Sequence, residues 1–326
     1  MPSTRHCPHR ANRARRRLSL ALGAAAVAPL WLRPQPAAAL AGLPPLPRYT
    51  QPVLADSPWV GRILLPGQRL IGPATLLADC AHATLCLLGE QHDHPDHHAV
   101  QAWIIQALAQ RRQLAALALE MADAGWRFGG PAQATDAEVR DRLHWDDAGW
   151  PWRLYAAPVM AAVRAGVPVV GVNLPRGDVR AAMQQPRWDD SVPPAVRRRL
   201  QDDVADSHCG LLPAAQLPAM TRVQLARDDS MAAHSLALAQ PGKTVVLLTG
   251  SVHADRTLGV ALHLPAHAAA GPAGAAAPPT VFSLLLQGLA PGAAAEVPAG
   301  LDAVWFTPGT PPVDHCAELR RQLQRR

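Results

Sequence analysis

Five apolar runs of strand length recur along the chain, separated by segments with helical patterning. They are "TLCLLG" (84–89), "LAALALEM" (114–121), "VPVVGVNL" (167–174), "TVVLLTG" (244–250) and "TVFSLLL" (280–286), with "DAVWFT" (302–307) as a weaker sixth. Runs that do not alternate with polar residues read as strands buried on both faces. Helix patterns at 96–111, 136–143, 152–165, 192–205, 214–239 and near 314–325 lie between or after them. Buried strands alternating with helices predict an α/β fold, a mainly parallel sheet with helices on both faces. No internal repeat appears. "AHAAAGPAGAAAPP" (266–279) reads as a low-complexity loop, and the Pro-rich stretch 43–60 as surface chain.

Charge is distributed unevenly. The formal net charge is +6, yet residues 1–41 hold seven arginines and no Asp or Glu. Removing them leaves 31 − 7 = 24 basic against 25 acidic residues, a net of −1. The basic balance therefore belongs to the leader and gives no reason to expect nucleic acid. "RANRARRRLSLALGAAAVAPLWL" (10–32) followed by "PAAALAG" (36–42) reads as a secretory signal cleaved after Ala41. Arg15, Arg16 and Arg17 before Leu18 allow a twin-arginine route. Residues 42–326 then form a single domain outside the cytoplasm. No cysteine sits near the cleavage site, so no lipid anchor is expected. Cys80, Cys86, Cys209 and Cys316 remain, an even number that permits disulfides but does not reveal their pairing.

Four of these strands end on a chemically capable residue. The first ends at Glu90 and then His92, the second at Glu120, the third at Asn173, and the fourth leads through Gly250 to His253. In a parallel sheet those ends share one rim, where ligands bind. Burying Glu or His unpaired is costly, so a shared pocket explains them better than packing does. "LLGEQHDHPDHHAVQ" (87–101) adds His94, His97 and His98. His98 opens a helix face continued by Gln101, whereas Asp93 and Asp96 could serve as helix caps. In the helix at 214–239, Gln224, Asp228 and Met231 share a face with Arg227 beside them, and an Arg227–Asp228 pair could support the pocket. "LHWDDAGWPWRLYAAPV" (143–159) gathers Trp145, Trp150, Trp152 and Tyr155 in a chain poor in aromatics. Flat apolar surfaces suit a flat ligand, and a phenolate suits ferric iron.

The ordered set "LLGEQHDHPDHH", "LEM", "WPWRLYAAPV", "GVNLPR", "DSHCG", "QLARDDSMA", "GSVHADRTLGV" and "VWFTP" resembles the ChaN family of haem-binding proteins. That family sits in the Tiki superfamily beside the erythromycin-esterase-like proteins, and the resemblance spans about 58–320. It implies a periplasmic or outer-membrane-associated protein of haem-iron uptake. It also implies a homodimer sandwiching two haems, with a tyrosine on iron and a partner's histidine nearby. On matching positions Tyr155 is the tyrosine and His208 the histidine, with Trp150 and Trp152 lining the porphyrin. The hydrolase side of the superfamily implies an alternative, a metal-dependent hydrolase with Glu90, His92, Glu120 and His253 around a divalent metal ion. Two departures stand out. The lipidated cysteine usual in ChaN proteins is missing, and a valine precedes His253 where a small residue is usual.

Overall fold

The apolar runs pair side by side. The computed structural model describes residues 42–270 and 278–324; the expected signal segment, the twin-arginine motif and half of the low-complexity stretch lie outside them. Nine strands form one sheet: β1 (Ile63–Leu65), β2 (Arg69–Ile71), β3 (Leu85–Glu90), β4 (Leu114–Asp123), β5 (Arg127–Phe128), β6 (Val169–Asn173), β7 (Thr244–Gly250), β8 (Val281–Gly288) and β9 (Ala303–Thr307). Their order is β2-β1-β9-β8-β3-β7-β4-β6-β5. The six strands from β9 to β6 run parallel, and β1, β2 and β5 pair antiparallel at the edges. Ten helices accompany them among the described residues: α1 (Pro73–His82), α2 (Pro95–Gln110), α3 (Asp136–Arg142), α4 (Trp152–Arg164), α5 (Val179–Gln184), α6 (Pro194–Ser207), α7 (Leu217–Leu236), α8 (Ser251–Ala254), α9 (Leu264–Ala269) and α10 (His315–Gln324).

Alternation within each strand divides the core. Cys86 and Leu88 of β3, Leu117 and Leu119 of β4, and Val246 and Leu248 of β7 enter the core shared with α1, α2 and α4. Leu85, Leu87, Ala116, Ala118, Val245 and Leu247 enter the opposite core with Met231 and Ala232 of α7. Successive side chains of a strand point to opposite faces, so both faces must be apolar here, as the unbroken runs require. The mainly parallel α/β sheet expected from the sequence is the sheet observed.

The pairing register builds the rim. β7 lies between β3 and β4, with Glu90 opposite Gly250, Gly89 opposite Thr249, and Leu119 opposite Leu248. Glu90 and Gly250 thus finish two adjacent strands, and Glu120 lies near the end of the third, although up to 160 residues separate them (250 − 90). Cys80–Cys86 ties α1 to β3, and Cys209–Cys316 ties the turn after α6 to α10.

Candidate functional site

A buried hydrogen-bond network begins at Glu90. Tyr155 Oη, from α4, donates to Glu90 Oε1 at 2.9 Å, and Gln101 Nε2, from α2, donates to Oε2. His98 Nδ1 lies 3.2 Å from Oε2, and its Nε2 donates to the His92 carbonyl at 3.0 Å. His92 Nδ1 lies 3.0 Å from Glu90 Oε1. A carboxylate only accepts, so Nδ1 carries the proton and the other ring nitrogen of His92 is left as the available one. That nitrogen, Nε2, faces Gly250: a Cβ there would lie 3.0 Å from it and 3.8 Å from Glu120 Oε2. The His92 side chain keeps 40% of its surface exposed while Glu90 keeps none. Burial opposes charge on His92, but the hydrogen bond to Glu90 and the nearby Glu120 outweigh it and raise its pKa.

A second row runs through β4, β7 and α7. Glu120 Oε2 accepts from Thr249 Oγ1 at 2.7 Å and from the Gly250 N–H at 2.8 Å. His253 Nε2 stands 3.7 Å from Glu120 Oε1, and its Nδ1 lies 2.7 Å from Asp228 Oδ1. Burial works against charge on Glu120, yet His253, His92 and the two donors overcome it and lower its pKa to about 2. Burial also opposes charge on His253, but Asp228 and Glu120 push it up to about 9. Asp228 is raised, by burial above all. The result is an imidazolium held between two acids. Asn173 donates from Nδ2 to the Glu120 carbonyl at 2.7 Å and so ties the end of β6 to β4. Gly259 permits the chain after α8 to turn back, since a Cβ there would meet the His253 carbonyl at 2.2 Å.

Both rows border one cavity of about 780 Å³. Glu90, His92, Gly250 and His253 form one side of it, and Leu285 and Leu286 with Leu200 and Val204 supply apolar lining. Cys209 and Cys316 put the long-range disulfide into its wall. Cavities of about 740 and 560 Å³ lie elsewhere and hold none of these residues.

The structure redistributes several expected roles. Glu90, His92, Glu120 and His253 do gather at the rim. They do not form a metal-ligand set, because no group of three or more His, Cys, Asp or Glu among the described residues could hold an ion. Their inward atoms are already committed, Glu90 to Tyr155, Gln101 and His92, Glu120 Oε2 to Thr249 and Gly250, and His253 Nδ1 to Asp228. Tyr155 is fully buried and its hydroxyl serves Glu90; burial, then the Glu90 carboxylate, push the phenol far above its ordinary range. It presents no oxygen to the cavity. Tyr49, the only other tyrosine, accepts from Trp305 Nε1 at 2.9 Å and does not line the cavity either. His208 folds back, its Nδ1 donating to the Val204 carbonyl at 2.8 Å, while its neighbours Ser207 and Cys209 line the cavity. Trp152 is buried and donates to Asp136 at 2.8 Å, so it lines no ligand surface; Trp150 meets His92 edge-on, ring centroids 4.8 Å apart. Asp228 pairs with His253 and not with Arg227, which forms no ion pair among the described residues. His94 is buried, stacked on His97 at 3.8 Å and bonded to the Pro308 carbonyl. Neither acid caps α2; Asp96 accepts from Thr50 and Gln51 instead. Thr249 was not anticipated, though a polar residue closing an apolar run is a visible signal.

Residues 76–264 match the family described as haem-binding uptake, Tiki superfamily, ChaN. The chain belongs to this family. The match covers well over half of its 326 residues and includes every rim residue above. The solved structure of ChaN of Campylobacter jejuni with cofacial heme binding is similar to this ChaN-family chain with a TM-score of 0.60. It is 23% identical, over 74% of this chain and 95% of that one, which shows a shared fold. The type III effector HopBA1 is a more distant likeness, with a TM-score of 0.38 and 14% identity over 73% of this chain and 93% of its own. No curated protein matches.

Proposed function

We propose that this chain binds haem in the cavity beside His92 and serves haem-iron uptake outside the cytoplasm. One observation carries the reading: His92, in the cavity lining, has Nδ1 fixed on Glu90 and Nε2 beside Gly250, another lining residue. A haem-ligating histidine needs one ring nitrogen for iron and gains basicity when the other donates to a carboxylate. The cavity volume and its leucine lining suit a flat apolar macrocycle. The residues thus fit haem through a histidine and do not fit it through Tyr155. Bound haem would supply the iron centre; His92 would hold it, and Glu90, anchored by Tyr155 and Gln101, would orient His92.

Support for export comes from Cys80–Cys86 and Cys209–Cys316, since disulfides persist in oxidising compartments. No helix among the described residues is long and apolar enough to cross a membrane. Val252, in the cavity lining and 37% exposed, would be covered if two copies faced each other across the mouth. The test is hemin titration of the wild type and His92→Ala by absorbance. A Soret band that forms in the wild type and is weakened and shifted in the variant supports the reading. Identical spectra would remove His92, and no band in either would remove haem.

A second reading follows from the same nitrogen. Nε2 of His92, backed by Glu90, has the placement of a general base, with the charged His253 beside it. Hydrolysis of activated esters by purified protein, lost in His92→Ala, would favour it. Turnover indifferent to that substitution would dismiss it.

A further inference from the structure

The cavity has a sign as well as a shape. Asp93, Asp203 and Asp206 stand in its walls with Glu90 at its floor, and no Lys or Arg lines it among the described residues. At the floor the charged His253 and His92, whose pKa is also raised, face three acids, Glu90, Glu120 and Asp228. Nearby guanidinium groups do not repair the imbalance. Arg199 is 61% exposed and 3.9 Å from Asp255, and Arg227, whose charge is felt at His253, is not in the lining either. Asp203 itself is raised, by burial first; Arg199 pulls it down, and Asp206, Asp202 and Asp255 add to the rise.

Resting on the haem reading above, we infer that the cavity admits the porphyrin by its hydrocarbon edge and rejects its propionate edge. The walls formed by Asp93, Asp203 and Asp206 are the specificity element. A ferric porphyrin carries a single positive charge at its centre and two negative charges at one edge. An anionic hollow attracts the centre and repels the edge, so the two preferences orient the ring. The propionates then face bulk water at the mouth, and nothing in the wall needs them. The ligand class follows: metalloporphyrins bind whether or not their side-chain carboxylates are free.

The test compares hemin with hemin dimethyl ester, in one mixed solvent, by Soret titration and by quenching of tryptophan fluorescence. The ester is expected to bind at least as tightly as hemin. Asp203→Asn with Asp206→Asn is expected to tighten hemin by roughly three- to tenfold and to weaken the ester, which loses only the attraction to its cationic centre. Raising the salt from low to moderate should also tighten hemin, because screening weakens a repulsion. An ester that binds tenfold or more weakly than hemin overturns the inference. So does a double variant that loses hemin, or hemin affinity that falls with salt. If wild-type protein takes up neither porphyrin, the haem reading fails first and the orientation falls with it. Thermal unfolding of the double variant shows that any change in affinity is not a change in folding.

Discussion

The Tyr155 hydroxyl donates to Glu90 Oε1 at 2.9 Å inside a core that leaves neither side chain exposed to solvent. Replacing it by Phe leaves a buried carboxylate oxygen short of a donor. Such losses cost about 1–3 kcal/mol. Tyr155→Phe should therefore lower the denaturation midpoint measurably while a hemin spectrum, if formed through His92, keeps its shape. A spectrum that vanished at unchanged stability would put the tyrosine back on iron.

Gly250 tests His92 from the other side. Its backbone is ordinary for an alanine, at φ −63°, but an added Cβ would lie 3.0 Å from His92 Nε2. Gly250→Ala should turn the imidazole aside and weaken hemin at least tenfold. Stability should change by no more than about 1 kcal/mol, because the ring is half exposed and can yield. Unaltered hemin affinity would show that this nitrogen is not the contact.

Stability should peak in mildly acid solution. Glu120 is depressed from 4.5 to about 2, so its stabilisation is present above 4.5 and is lost as pH falls towards 2. His253 is raised from 6.5 to about 9, so its stabilisation is present below 6.5 and is lost as pH rises through 9. The two shifts share the Glu120–His253 contact, while Asp228 contributes more to the second, and they are not summed; each is worth up to about 3 kcal/mol on its limb. The raised Asp228 works the other way above 3.8 and trims the total. Chemical denaturation across pH should therefore give a maximum between 4.5 and 6.5. Glu120→Gln should flatten the acid limb, and an unchanged acid limb would refute the assignment.

The two disulfides should differ in effect. In the chain-entropy account a ring closed across 107 residues stabilises by about 5 kcal/mol and one closed across six by about 2. Cys209–Cys316 also holds α10 to the cavity wall. Cys316→Ser should expose Arg320 and Arg321 to trypsin before the rest of the fold yields, whereas Cys80→Ser should not. Equal protection of the C-terminus in both would show that α10 is held by other contacts.

Much of the fold was legible because parallel strands buried on two faces leave unbroken apolar runs, and β3, β4, β6, β7, β8 and β9 all appear as such. β1 and β2 escaped notice because each has three residues beside a Pro-rich stretch, and their pairing depends on Gly67 at φ +74°. The rim residues were legible as strand endings. Their grouping rests on β7 entering between β3 and β4, which no local pattern records. Hydrogen-bond partners were the least legible. Asp228 adjoins Arg227 in sequence yet bonds to a histidine 25 residues away, and Tyr155 looked like a ligand because its acceptor lies 65 residues upstream.

The entry of β7 between β3 and β4 also orders events during biosynthesis. A growing chain that has not reached Thr244 owns Glu90, His92 and Glu120 but lacks the strand that seats them side by side. Thr249, Gly250 and His253 are supplied last, when the central plank slides home between two neighbours made long before.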